Sequence, residues 1–204
     1  AAVNAGETLA PWQDDKGVVV LLDDIDLAEV TEWTPIGAAT SKLASNALSL
    51  TSGRPFTGYF DGQGHTVRNL KIVVPADAAA GSAWGLFGVL KGATVRNLAI
   101  GEGSSVVSTA AAMTAVGAVA GYAYEATIEN CENRAAIDIQ GGGDNVRESA
   151  GGIVGAICAN ENDSHILSCT NYGKITSKNS VNTKNGATAV SYTHLRAHET
   201  LANL

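Results

Sequence analysis

Aromatic side chains make up only 5% of this 204-residue chain, and there are four prolines and three cysteines. Each scarcity removes a class of protein. Cys131, Cys158 and Cys169 have no Cys-x-x-Cys spacing and so form no zinc framework. No run of about 18 apolar residues occurs, which excludes a transmembrane helix. Basic residues form no patch or stripe, and a net charge of −7 argues against nucleic acid as a partner and for an acidic, soluble, extracellular surface. No stretch before the C-terminal tail places apolar residues at i, i+3 and i+4 over a dozen positions, so a helical solenoid is excluded. Gly85-Leu86-Phe87-Gly88 is too short for a phosphate loop and lacks the closing Lys-Ser/Thr. No export leader is visible. The chain opens Ala1-Ala2-Val3, which reads as a piece of a longer protein, so the missing leader says nothing about export.

What is present is repetition, punctuated by 23 glycines. Thr66-Val67-Arg68-Asn69-Leu70 returns as Thr94-Val95-Arg96-Asn97-Leu98, then as Thr127-Ile128-Glu129-Asn130-Cys131 and His165-Ile166-Leu167-Ser168-Cys169. The spacing is 28 residues from Asn69 to Asn97, 33 from Asn97 to Asn130 and 38 from Cys131 to Cys169. Periods of this order mark solenoids, propellers or arrays. The units are shorter and less regular than propeller blades. Short alternating runs with β-branched residues are half-buried strands. The fold expected is all-β: a right-handed parallel β-helix, or solenoid, of about four irregular coils, with length variation held in loops.

Aligned this way, the copies define columns. Val67, Val95, Ile128 and Ile166 should stack inward, as should Leu70, Leu98, Cys131 and Cys169. Asn69, Asn97 and Asn130, with Ser168 closing the series, should form a hydrogen-bonded ladder at a bend. Gly62 and Gly64, in Asp61-Gly62-Gln63-Gly64, should supply positive φ for a tight turn. Cys131 and Cys169 would lie on neighbouring coils, close enough for a disulfide, yet both also read as small buried hydrophobes. Leu98→Asp is expected to unfold the domain and Arg96→Asp to be nearly silent.

Trp33-Thr34-Pro35-Ile36-Gly37, the run from Phe56 to Thr66, Gly85-Leu86-Phe87-Gly88 and Gly151-Gly152-Ile153-Val154-Gly155 together resemble the GLUG-motif repeat proteins of bacteria. The resemblance covers roughly residues 18–177. It implies a β-helical repeat fold and a secreted or cell-surface location, and no catalytic mechanism. Residues 1–17 read as a linker or the end of a preceding segment, 18–177 as the repeat domain and 178–189 as a polar edge strand or loop. Residues 38–53 read as a surface excursion and 141–145 as a bend. From residue 190 the pattern breaks. Val190-Ser191-Tyr192-Thr193-His194-Leu195-Arg196-Ala197-His198-Glu199-Thr200 resembles a translated sequencing adapter, so 190–204 is expected to be non-native and its two histidines uninformative.

Candidate chemistry is thin. Asp23, Asp24 and Asp26 are the densest acidic cluster; a Ca²⁺ site or a carboxylate pair for sugar cleavage is weighed against a solvated strand face, and the latter is preferred. Asp61-Gly62-Gln63-Gly64-His65 is similar to a phrase in β-helical pectin-degrading hydrolases. The later Asp-Asp, Gly-His-Gly and Arg-x-Lys elements of those enzymes have no counterpart here. Lyases of this fold use an Arg or Lys base; Arg68 and Arg96 would be stacked candidates, with no matching acidic cluster. The expectation is therefore an adhesive or structural binding module of a secreted or surface bacterial repeat protein, with no cofactor, no metal and no catalytic residue. Its partner would be a glycan or a host or cell-surface protein. The alternative is part of a carbohydrate-active β-helix enzyme, a polysaccharide hydrolase or lyase whose catalytic coils lie outside this sequence; a passive linker between catalytic domains comes third.

Overall fold

Short strands separated by corners of two to four residues, and by longer loops before the fourth sheet, cannot bury their apolar residues singly; stacking them coil on coil does so. The computed structural model describes residues 1–44, 47–141, 148–158, 163–177 and 188–190, and it is a parallel β-solenoid. The central coil has five strands: Thr94–Arg96, Ala99–Ile100, Ser105–Ser108, Ala115–Gly117 and Ala120–Tyr124. Each belongs to a different parallel sheet, here called first to fifth in that order. The coil before it supplies Tyr59–Asp61, Thr66–Arg68, Lys71–Val74, Ala83–Trp84 and Phe87–Lys91; the coil after it supplies Thr127–Glu129, Glu132–Asn133, Ala136–Ile139, Ser149–Gly151 and Val154–Cys158. A partial coil precedes these three with Val18–Val20 and Ile25–Asp26. Another follows with His165–Leu167, Thr170–Asn171, Ile175–Ser177 and Thr188–Val190. The last of these strands makes the end of the expected polar stretch an edge strand, paired with Ser149–Gly151. Residues 142–145 of the expected bend, residues 146–147 and 178–187, and the tail beyond Val190 lie outside the described residues.

The interior is a set of aliphatic columns. Val95, Ile128 and Ile100 are fully buried, and the Phe56, Phe60 and Phe87 rings pack together with centroids 5.1 and 5.2 Å apart around Phe87. In the first coil the fifth-sheet position is split. Ile36 bridges to Phe87 and Phe56 to Leu90, and between them the chain leaves as an antiparallel hairpin, Ala39–Ala44 with Ala47–Gly53. The excursion expected at 38–53 is thus a pair of antiparallel strands, with a register shift between Thr40 and Ser41, growing from one side of a coil.

Residues 1–17 pack on the first coil. They form a short helix, Ala2–Ala5, and a 3-10 turn, Ala10–Trp12, whose Val3 and Leu9 pack against the core. Asn4 ties the helix to the first coil: its Nδ2 donates to Pro35 O at 3.0 Å, and its Oδ1 accepts from the N–H groups of Gly37 and Ala38 at 2.9 and 3.0 Å.

The register corrects the expected columns. Thr94-Val95-Arg96 pairs with Tyr59-Phe60-Asp61 and with Thr127-Ile128-Glu129, on the first sheet. Thr66-Val67-Arg68 lies one sheet further on, where Val67 pairs with Ile25 and Ile100. Val67 and Leu70 are buried, but in other columns than Val95 and Leu98. Asn69 is likewise not equivalent to Asn97 and Asn130, and Arg68 does not stack on Arg96. The cause is corner length. Four residues, 62–65, join the first two sheets in one coil, whereas Asn97-Leu98, Asn130-Cys131 and Ser168-Cys169 do so with two in the coils that follow.

Candidate functional site

Outward side chains near the first corner form an ordered polar network. Asp61 Oδ1 accepts from Gln63 N at 2.8 Å and Asn97 Nδ2 at 3.0 Å, and its Oδ2 accepts from Arg96 Nε at 2.8 Å. Asn130 Nδ2 continues the series to Asn97 Oδ1 at 2.8 Å. The outer ladder is therefore Asp61–Asn97–Asn130. Asn97, Asn130 and Ser168 all have φ near +50°, a region that Asn tolerates better than most residues. Burial pushes the Asp61 carboxyl up, but the Asn97 amide, the Gln63 N–H and the Arg96 guanidinium together hold it below the usual aspartate value. Arg96 is thus a partner of a largely buried carboxylate, and the expectation that Arg96→Asp is silent does not hold. Gly64 has φ +85°, and Gln63 beside it φ +52°. Gly62 is needed for a different reason than the one expected: a Cβ there would sit 2.5 Å from Asn97 O.

Asn69 serves the next corner, with φ +56° and its Nδ2 donating to Asp26 Oδ1 at 2.7 Å. Asp24 accepts from Thr66 N at 2.8 Å and pairs with Arg68 at 2.7 Å. The Thr66 N–H and then the Arg68 charge hold Asp24 low; the Asn69 amide and then the Ala28 N–H do so for Asp26. Both carboxylates are thus held by backbone and side-chain donors. Among the described residues no three His, Cys, Asp or Glu side chains converge on a metal site.

The same stacking builds a groove on the outer face of the second sheet. Ala99 and Gly101 form its floor. Thr66 and Arg68 from the coil before make one wall, and Glu132 and Arg134 from the coil after make the other, with Gly64 and Glu102 completing a groove of 620 Å³. Small floor residues between longer side chains make the depression, and it follows the strand direction across the solenoid axis. Arg134 Nε donates to Glu132 Oε1 at 2.6 Å, and its guanidinium lies 4.7 Å from the centroid of the exposed Tyr172 ring. Both walls therefore carry a guanidinium held in place by an intramolecular partner, and an aromatic face adjoins one of them. Such a surface offers donors, acceptors and a stacking face to a polyhydroxylated chain.

Two buried polar groups escaped the sequence reading. Asn133 and Asn171 occupy inward positions in the column of Val67 and Ile100. Asn133 Nδ2 donates to Asn171 Oδ1 at 2.8 Å and to Ala135 O at 3.1 Å, while its Oδ1 accepts from Ala135 N at 2.7 Å. Asn171 repeats the arrangement with Gly173 N and O. The recurrence of Cys131-Glu132-Asn133 as Cys169-Thr170-Asn171 was the available signal. Glu148 is also buried. Its Oε1 accepts from the Ser108 hydroxyl and, at 3.1 Å, from Thr114 Oγ1, and its Oε2 has no partner.

Fold and groove together define a parallel β-solenoid with a ligand-sized polar depression on one outer sheet. Compared with protein-family models, with curated proteins and with solved structures, the chain gives no significant match. Among the described residues, no helix is long and apolar enough to cross a membrane.

Proposed function

We propose that this chain is a binding module of a secreted or cell-surface bacterial repeat protein, and that the groove over Ala99 and Gly101 holds a glycan. The observation that carries this reading is the wall chemistry: two anchored guanidiniums, two carboxylates and an adjoining Tyr face around a floor too small to fill the space. Sugars are bound in this way, by bidentate polar groups on vicinal hydroxyls and by apolar ring contact with an aromatic. The resemblance of the repeat phrases to GLUG-motif proteins supports the location and the adhesive role. Affinity electrophoresis through gels containing pectin, xylan or mucin glycans tests the reading. Retardation by at least one polymer is expected, abolished by Ala99→Trp, which fills the groove from its floor, and unaffected by Tyr59→Ala on the first sheet. Failure of every polymer to retard the protein, or retardation that survives Ala99→Trp in a variant with unchanged melting, would overturn it.

A further inference from the structure

From the stacking of Cys131 on Cys169 we infer that these two residues form a disulfide joining successive coils. The flanking strands fix the alignment: Glu129 pairs with Leu167 and Glu132 with Thr170, so the two-residue corners between them are in register. Adjacent coils of a parallel ladder lie about 4.8 Å apart, inside the ~4.4–6.8 Å Cα separation a disulfide spans. Both side chains point inward and lean the same way. Each sulfur lies 3.3 Å from a carbonyl of its own coil, Glu129 O and Leu167 O, and each also approaches the coil below, Cys131 Sγ at 3.9 Å from Val95 O and Cys169 Sγ at 3.5 Å from Ile128 O in the coil of Cys131. Both residues are free thiols in this structure.

The two sulfurs differ in a way that orders the chemistry. The neighbouring Cys169 sulfur, together with burial, raises the Cys131 thiol well above the usual value, and the neighbouring Cys131 lowers Cys169. Cys169 is also the less buried of the two, at 7% against 2% exposure, and this makes it the first nucleophile. With a small-molecule disulfide as oxidant, the Cys169 thiolate attacks one sulfur and expels one thiolate, forming a mixed disulfide. The Cys131 sulfur, on losing its proton, then attacks the Cys169 sulfur and expels the second thiolate. Two protein thiols are oxidised to one disulfide, the reagent is reduced to two thiols, and the protons released by Cys169 and Cys131 end on those thiols. The bond closes the loop between the last complete coil and the partial coil after it, whose Ile166 and Ile175 are only partly buried. It strengthens the solenoid where its columns are most exposed, whatever the groove binds.

The experiment uses the full chain carrying Cys158→Ser, so that two thiols remain. The protein is incubated with oxidised glutathione, alkylated after unfolding, and mapped by mass spectrometry. The expected result is loss of both alkylation sites, a cross-linked Cys131–Cys169 peptide without glutathione, and a melting midpoint raised by about 5 °C that reverts on reduction. A second variant that also carries Cys131→Ala should show neither cross-link nor shift. Full alkylation of both thiols, glutathione retained on Cys169 as the only product, or a cross-link that leaves the midpoint unchanged or lower would each overturn the inference.

Discussion

Asn130 and Asn133 are three residues apart and do opposite work. Asn130 stands on the outer ladder, exposed, at a corner with φ +50°, hydrogen-bonded to Asn97. Asn133 stands inside, fully buried, in a column that runs from Val67 and Ile100 through Asn133 to Asn171. The outer amides relieve one another and a backbone conformation that few side chains accept. The inner amides satisfy backbone N–H and C=O groups that the turn into the third sheet leaves without ladder partners. The side of the backbone, and not the residue type, sets the energetic weight of each ladder.

The contrast is widest at Leu98, which follows Asn97 of the outer ladder and points into the core at 1% exposure. Leu98→Asp puts an unpaired carboxylate in an aliphatic column and should cost about 4 kcal/mol or more. Cooperative thermal melting followed by circular dichroism should disappear. A sharp melt close to wild type would mean that the inward assignment is wrong.

Next comes the inner ladder itself. Asn133→Leu restores the apolar column but strands Ala135 N and O and one side of Asn171, and should cost about 2–4 kcal/mol, read from urea unfolding. Glu148 sharpens the point from the other side, because its Oε2 is already without a partner. Replacing the whole cluster, Ser108→Ala with Thr114→Val and Glu148→Leu, should be neutral or stabilising by about 1–2 kcal/mol. Destabilisation beyond that range would show that the cluster holds the third and fourth sheets together.

Much of this architecture was legible in the sequence, and what was not has a physical cause. The alternation around Val95 and Ile128, the apolar residue after each corner and the repeat length all survive. The phase of the first copy does not. Thr66-Val67-Arg68-Asn69-Leu70 and Thr94-Val95-Arg96-Asn97-Leu98 are nearly identical because any corner of the coil asks for the same thing: an inward β-branched residue, an outward charge, a residue tolerant of positive φ, then an inward aliphatic. Such a phrase marks a corner without saying which one. The corner of residues 62–65, two residues longer than its counterparts in the later coils, sets the register, and its length is no guide until the partner strands are known. The groove was hidden for the same reason, since Arg68, Gly101 and Arg134 meet only in the true register. The packing of residues 1–17 was not legible because Val3, Asn4 and Leu9 carry no periodicity; their partners, Pro35 and Gly37 among them, are distant in sequence.

Smaller effects follow at Asp61, where the outer ladder begins. Its carboxyl is held below the ordinary value of 3.8. A depressed folded value means that the charged form contributes stability above 3.8, and that this contribution is lost as the pH falls through the folded value. Wild type should therefore lose melting temperature between about pH 4 and pH 2 more steeply than Asp61→Asn. At neutral pH, Arg96→Asp removes a partner and adds a like charge between Asp61 and Glu129, at about 1–2 kcal/mol after allowing for solvent screening. An acid limb identical in wild type and Asp61→Asn would remove Asp61 from the account.

The smallest expected change lies at Asn97. Glycine meets its φ of +53° without strain, so Asn97→Gly removes the exposed hydrogen bond to Asn130 and one of the three donors to the partly buried Asp61 carboxylate, which keeps Gln63 N and Arg96. The gain in backbone ease offsets part of the lost pairs, leaving a cost of about 1 kcal/mol or less. Asn97→Val keeps a side chain but forces a β-branched residue into the left-handed region, and should cost about 1–2 kcal/mol. At Asn133 the order reverses, because positive φ is not required there and only the amide matters: valine and glycine should both be costly, glycine the more so, since it also empties the column. Measuring the four variants by urea unfolding therefore separates a backbone role from a hydrogen-bonding one. Equal losses for Asn97→Gly and Asn133→Gly would erase the distinction between the two ladders.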